Sequence, residues 1–88
     1  MYLRPLAEQN HKKAQGTLGW MYESGRGLRK DNVMAFVWYD LAVENGHKKA
    51  HRNRNSVESK LDDDELKRAR SLSKKCLGDP ISCPKYSN

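Results

Sequence analysis

The 88 residues bound the chain to one domain, and a chain this short buries only roughly 60–65% of the surface its unfolded form exposes, so its core is modest. With 32% charged residues and few Leu, Ile, Val or Phe, the composition leans toward disorder, yet the apolar residues gather between Leu18 and Val43 and predict an ordered centre with polar ends. The net charge of +6 favours acidic partners or surfaces, and no apolar run approaches the roughly 18–20 residues of a membrane span.

Taken in order, residues 1–10 overlay on residues 37–46, with Tyr2 on Trp38, Ala7 on Val43, Glu8 on Glu44 and Asn10 on Gly46. Asn and Gly are the residues that most readily take the left-handed conformation ending a helix. The head therefore reads as the back half of a helix, with Pro5 tolerable only in its first turn. The first complete helix is expected from about His11 to Ser24, where Ala14, Leu18, Met21 and Tyr22 form one apolar stripe. Gly25-Arg26-Gly27 stops it, and Leu28 folds back over the connection. A second helix starts at Asp31 or Asn32, either of which can cap it. Ala35, Trp38, Tyr39 and Ala42 form its core face, Phe36, Leu41 and Val43 flank it, and Gly46 ends it.

The third helix, about His47 to Lys60, keeps Ala50, Val57 and Leu61 but has Arg54 where Leu18 stood one period earlier. Asp62 and Glu65 have capping-box spacing, so Asp62-Asp63-Asp64-Glu65 reads as a helix start rather than a metal site. From there the fourth helix runs to about Leu77 and presents Leu66, Ala69, Leu72, Ser73 and Cys76 inward. The stretch 78–88, with Gly, two Pro and Ser, reads as a loop and tail.

The tetrapeptide His-Lys-Lys-Ala occurs at 11–14 and again at 47–50, an offset of 36 residues. A fixed period of this size marks stacked helical repeats. Ala14-Gln15-x-x-Leu18-Gly19-x-Met21-Tyr22-x-x-Gly25-x-Gly27 followed by Asp31-x-x-x-Ala35-x-x-Trp38-Tyr39-x-x-Ala42-x-x-x-Gly46 resembles one whole Sel-1-like repeat, a relative of the tetratricopeptide repeat. The head, Arg4 to Gln9, resembles the lead-in of bacterial members, and Ala50-x-x-Asn53-Arg54, Leu61 and Leu66-x-x-Ala69-x-x-Leu72 resemble their closing repeat. Asn10 departs from the family's usual glycine, and Lys12, Lys13, Lys48 and Lys49 stand where small or acidic residues are commoner. The resemblance implies an all-α fold: a short α-solenoid of antiparallel helix pairs, with a full repeat over about 11–46, a closing repeat over about 47–77 and a partial leading helix. Arrays of this kind usually need roughly three units, so the open N-terminal end is expected to pack on a second copy or another partner.

Nothing in the sequence forms an enzyme's constellation. Gly25, Gly27 and Gly46 terminate helices, since no strand precedes them and no Gly-Lys-Ser/Thr follows. His47 and His51 stand at i, i+4 without a third ligand nearby, and no nucleophile pattern can be assembled. No metal or cofactor is expected. Cys76 and Cys83 bracket Gly78-Asp79-Pro80; they can close a small disulfide or stay as thiols in a reducing compartment. The resemblance bears on this choice, since exported members often end with two cysteines. No signal-peptide hydrophobic region follows Met1, so as written the chain reads as cytoplasmic, or as periplasmic or secreted if it is a fragment of an exported member.

The leading expectation is thus a non-catalytic adaptor that binds a protein or peptide, with Lys12, Gln15, Gly19, Lys48, Arg52 and Asn55 lining a groove along the first helices of each pair. A second reading, from a different class, is a binder of nucleic acid or another anionic surface. It would use Lys48, Lys49, Arg52, Arg54, Lys67, Arg68, Arg70, Lys74 and Lys75. Against it, no exposed aromatic residue is expected between these cations, as single-strand binders usually have.

Overall fold

Three of the helices start where the sequence supplies an acceptor for their free N–H groups. In the computed structural model, which describes residues 4–83, His11 Nδ1 accepts from the Ala14 N–H at 3.2 Å and opens α2 (Lys12–Ser24). Asp31 does the same for the Met34 N–H at 3.2 Å and opens α3 (Asn32–Glu44). Asp62 and Glu65 form a reciprocal capping box, with bonds of 2.8 and 3.0 Å, at the head of α5 (Asp63–Gly78). A short α1 (Arg4–Glu8) precedes these, α4 (Lys48–Glu58) lies between α3 and α5, and a 3-10 turn, Pro80–Ser82, follows α5. The described residues are thus helical, with no strand among them. Part of the expected C-terminal loop is this turn. Tyr2 and the tail from 84 to 88 lie outside the described residues.

The 36-residue period of the sequence reappears in the backbone. Asn10 and Gly46, one period apart, both take positive φ, 62° and 94°. Around Asn10 the N–H groups of residues 9, 10 and 11 donate to the carbonyls of Leu6, Ala7 and Leu6. Around Gly46 the N–H groups of residues 45, 46 and 47 donate to Ala42, Val43 and Ala42, which are the same bonds shifted by one period. Helix ends closed this way satisfy carbonyls that would otherwise lack partners. The second unit is tighter: three residues, Ser59 to Leu61, join α4 to the Asp62 cap of α5, whereas the Gly25–Lys30 stretch joins α2 to the Asp31 cap of α3.

The core forms around α3, which packs against α2, α4 and α5. Val33 to Tyr39, Leu41 and Ala42 are all buried, so this helix is apolar on every side. Leu18 and Tyr22 meet it from α2, Ala50 and Val57 come from α4, and Ala69 and Cys76 come from α5. Leu28, Leu61, Leu66 and Leu72 pack on the edge of the same cluster. One carboxylate of α3 is held from two sides: Asp40 accepts from Arg54 at 2.6 Å and from the Ser73 hydroxyl at 2.7 Å. A single side chain thereby ties α3 to both α4 and α5.

The first and last described elements meet. Cys76 and Cys83 are joined in a disulfide with Cα atoms 4.9 Å apart, and both residues are buried. This holds the 3-10 turn against α1, where the Arg4 guanidinium donates to the Cys83 carbonyl. Arg4 is itself buried, paired with Glu8 at 2.7 Å and stacked 4.9 Å from the centre of the Trp38 ring. Among the described residues, α1 is thus covered in part by the 3-10 turn.

Candidate functional site

A buried polar network fixes α2 and so decides which of its faces remains exposed. Gln15 is fully buried; its Nε2 donates to the Ala7 carbonyl at 2.9 Å, and its Oε1 accepts from Asn45 Nδ2 at 2.9 Å. It therefore joins the C-terminal ends of α1 and α3, which is the opposite of lining a groove. Gly19 is buried as well, because the Tyr39 ring lies where a side chain would be: a Cβ there would stand 2.7 Å from Cδ1. Two of the six groove residues expected from helical position are therefore structural. Gln15 and Gly19 lie on the side of α2 that α3 covers.

The remaining four are exposed. Lys12 sits with Asn10, His11, Lys13 and Asn45 around a shallow depression at the start of α2. Lys48 and Arg52 come together with Lys49 and Asn53 at the start of α4, while Asn55 points along the same helix toward His51, 3.4 Å away. Both depressions are open to solvent and hold no buried polar group aimed into them.

A trough between α2 and α4 has a different lining. Gly16, Thr17, Trp20, His47, Lys49, Ala50 and Asn53 surround a depression of about 270 Å³. Relative to the expected residues, this set is rotated by one position: Gly16 for Gln15, Trp20 for Gly19, Lys49 for Lys48, Asn53 for Arg52. The floor is set by Gly16, where a Cβ would stand 2.7 Å from the His47 ring. With its ring held there, His47 makes no side-chain cap to α4, unlike its counterpart His11 one period earlier.

Trp20 is the residue that sequence reasoning missed. Its ring is 45% exposed, and the Arg26 guanidinium lies 5.7 Å from the ring centre. This corrects the expectation that no exposed aromatic stands among the cations. The signal was available: Trp20 follows Leu18 by two positions, which places it on the far side of a helix whose stripe is Ala14, Leu18 and Tyr22. A large aromatic there has no core to enter.

The basic set is likewise sorted by the structure. Arg54 is engaged with Asp40 and half-buried, so it is not available to an anion. Arg70 faces Glu58 at 3.5 Å, a solvent-exposed pair of little energetic weight. Lys48, Lys49, Arg52, Lys67, Arg68, Lys74 and Lys75 are exposed and meet no carboxylate among the described residues.

The groups able to do chemistry are few. Among the described residues no three His, Cys, Asp or Glu side chains are placed to hold a metal ion. No described helix is long and apolar enough to cross a membrane. Tyr39 donates to Glu23 at 2.7 Å, and its phenol is pushed above the usual range, first by burial and then by that carboxylate. A phenol held neutral under an acceptor is a structural strut between α3 and α2. Compared with known proteins, the chain matches no family model and no curated protein.

Proposed function

We propose that the protein is a non-catalytic interaction module of the Sel-1-like repeat type, a short solenoid of helix pairs that binds a protein or peptide in the trough between α2 and α4. The observation that carries this reading is Trp20. An aromatic ring left 45% exposed beside a shallow concavity is the kind of group that anchors interfaces, since truncating such residues typically costs most of the affinity. The repetition of the same helix-end hydrogen bonds at a 36-residue offset supports the repeat architecture. Fold class alone would not assign a function, so the trough and not the architecture carries the proposal.

The alternative class, a binder of nucleic acid or another anionic surface, rests on the exposed cations of α4 and α5. One experiment separates the two. A photoreactive amino acid is placed at Thr17, at Asn53 and at Arg68, and each protein is irradiated in host lysate with and without nuclease. Binding in the trough yields one protein adduct from Thr17 and Asn53 that survives nuclease and moderate salt. Adducts to nucleic acid, or adducts from Arg68 alone, would replace the trough with the basic face.

A further inference from the structure

We infer that the trough takes an acidic peptide segment carrying one large apolar side chain, with that side chain on Trp20 and its neighbouring carboxylates on Lys49, Arg26 and Lys13. This rests on the reading of the trough as the binding face and adds the chemistry of what it binds.

Charge around the trough has one sign. Lys49 lines it, Arg26 lies over the Trp20 ring, and Lys13 precedes Trp20 by seven residues, two turns along the same side of α2. Among the described residues none of these three pairs with a carboxylate. The lining contains no Asp or Glu.

The carboxylates of the fold are mostly engaged elsewhere. Glu8 holds Arg4, Glu23 accepts from Tyr39, Asp40 holds Arg54 and Ser73, and Asp31, Asp62 and Asp79 cap helices or turns. The charge left over beside the trough is therefore positive, and its complement is an acidic chain.

Arg26 strengthens the case. Held 5.7 Å from the centre of the indole, the Arg26 guanidinium stands by the apolar ring with N–H donors that can meet a carboxylate docked beside it. One residue thus frames the apolar surface and supplies a charge next to it. A peptide with Leu, Phe or Trp flanked by Asp or Glu fits both features. A basic or uniformly apolar segment fits only the ring.

The test is selection of phage-displayed random dodecapeptides on the wild-type chain, with parallel selections on Trp20→Ala and Lys49→Glu, both exposed positions whose folding is checked by circular dichroism. The enriched peptides are expected to carry Asp or Glu around one large apolar residue. They should bind on the order of thirtyfold more weakly to Trp20→Ala, the loss usual for an aromatic anchor. Their affinity should also fall with rising salt and with Lys49→Glu. Peptides that need Trp20 but show no acidic excess would overturn the partner class while leaving the trough as the binding face. Peptides indifferent to both substitutions, or no enrichment at all, would overturn both. A labelled single-stranded oligonucleotide is titrated in the same format. Binding of it that is tighter than any peptide and lost in Trp20→Ala would replace the acidic peptide with nucleic acid.

Discussion

Reducing the Cys76–Cys83 disulfide should cost more than the closed loop itself explains, and the excess should depend on Arg4. The bond spans a sequence separation of 7, so the loop it closes in the unfolded chain is small. On the chain-entropy account such a loop contributes about 2.5 kcal/mol. The Cys83 carbonyl, however, also accepts from the buried Arg4 guanidinium, a charge-assisted bond of about 1.5–3 kcal/mol. Once the bond is reduced the 3-10 turn can leave, and Arg4 then loses that acceptor while remaining stacked on Trp38. Reduction of the wild type should therefore cost about 4–5.5 kcal/mol, a large share of the roughly 4–13 kcal/mol usual for a domain of this length. In Arg4→Met, which keeps an apolar chain over the indole, only the loop contribution of about 2.5 kcal/mol should remain. Urea titrations followed by far-ultraviolet circular dichroism, with and without a phosphine reductant, give the four stabilities of the cycle. Equal costs of reduction in the two proteins, within about 0.5 kcal/mol, would refute the coupling of the two ends.

Four further outcomes follow from the packing. Gly19→Ala drives a Cβ to 2.7 Å from the ring of the fully buried Tyr39 and should lose about 1–3 kcal/mol in urea despite alanine's better helix propensity. Gly16→Ala meets only the partly exposed His47 ring, which can swing away, so a loss as large as that of Gly19→Ala would contradict the packing described. Gln15→Leu should cost about 1–3 kcal/mol, because it removes two hydrogen bonds and leaves the Ala7 carbonyl with the Asn10 N–H and the Asn45 amide with only the longer contact to Asn10, and a neutral result in thermal melts would show that this network is dispensable. Tyr39 has its folded pKa raised above its unfolded value, so its contribution is complete below the unfolded pKa of about 10 and fades only as pH climbs beyond it. Absorbance near 295 nm should show Tyr39 ionising only with alkaline unfolding; ionisation alongside exposed phenols in the folded chain would exclude the bond to Glu23.

The helices were legible because each boundary is a local decision. Asp31, Asp62 and Glu65 are caps by residue type and spacing, Asn10 and Gly46 are among the few residues that tolerate positive φ, and both conclusions need no tertiary information. The proposed binding face was not legible in the same way, since it depends on where α3 lands on α2. Helical position alone leaves Gln15 and Gly16 equally plausible, and only the approach of Tyr39 to Gly19 and of Asn45 to Gln15 rotates the free face by one residue. Arg54 shows the same limit: its place in the stripe of α4 marks it as either exposed or paired, and the partner, Asp40, stands 14 residues earlier on another helix. Trp20 lies between these cases. Its exclusion from the stripe was visible in the sequence, but its meaning came from Arg26 above it and Lys49 across the trough. A side chain that the core rejects is informative only when the structure shows what stands beside it, and here those neighbours are cations that pair with no carboxylate among the described residues.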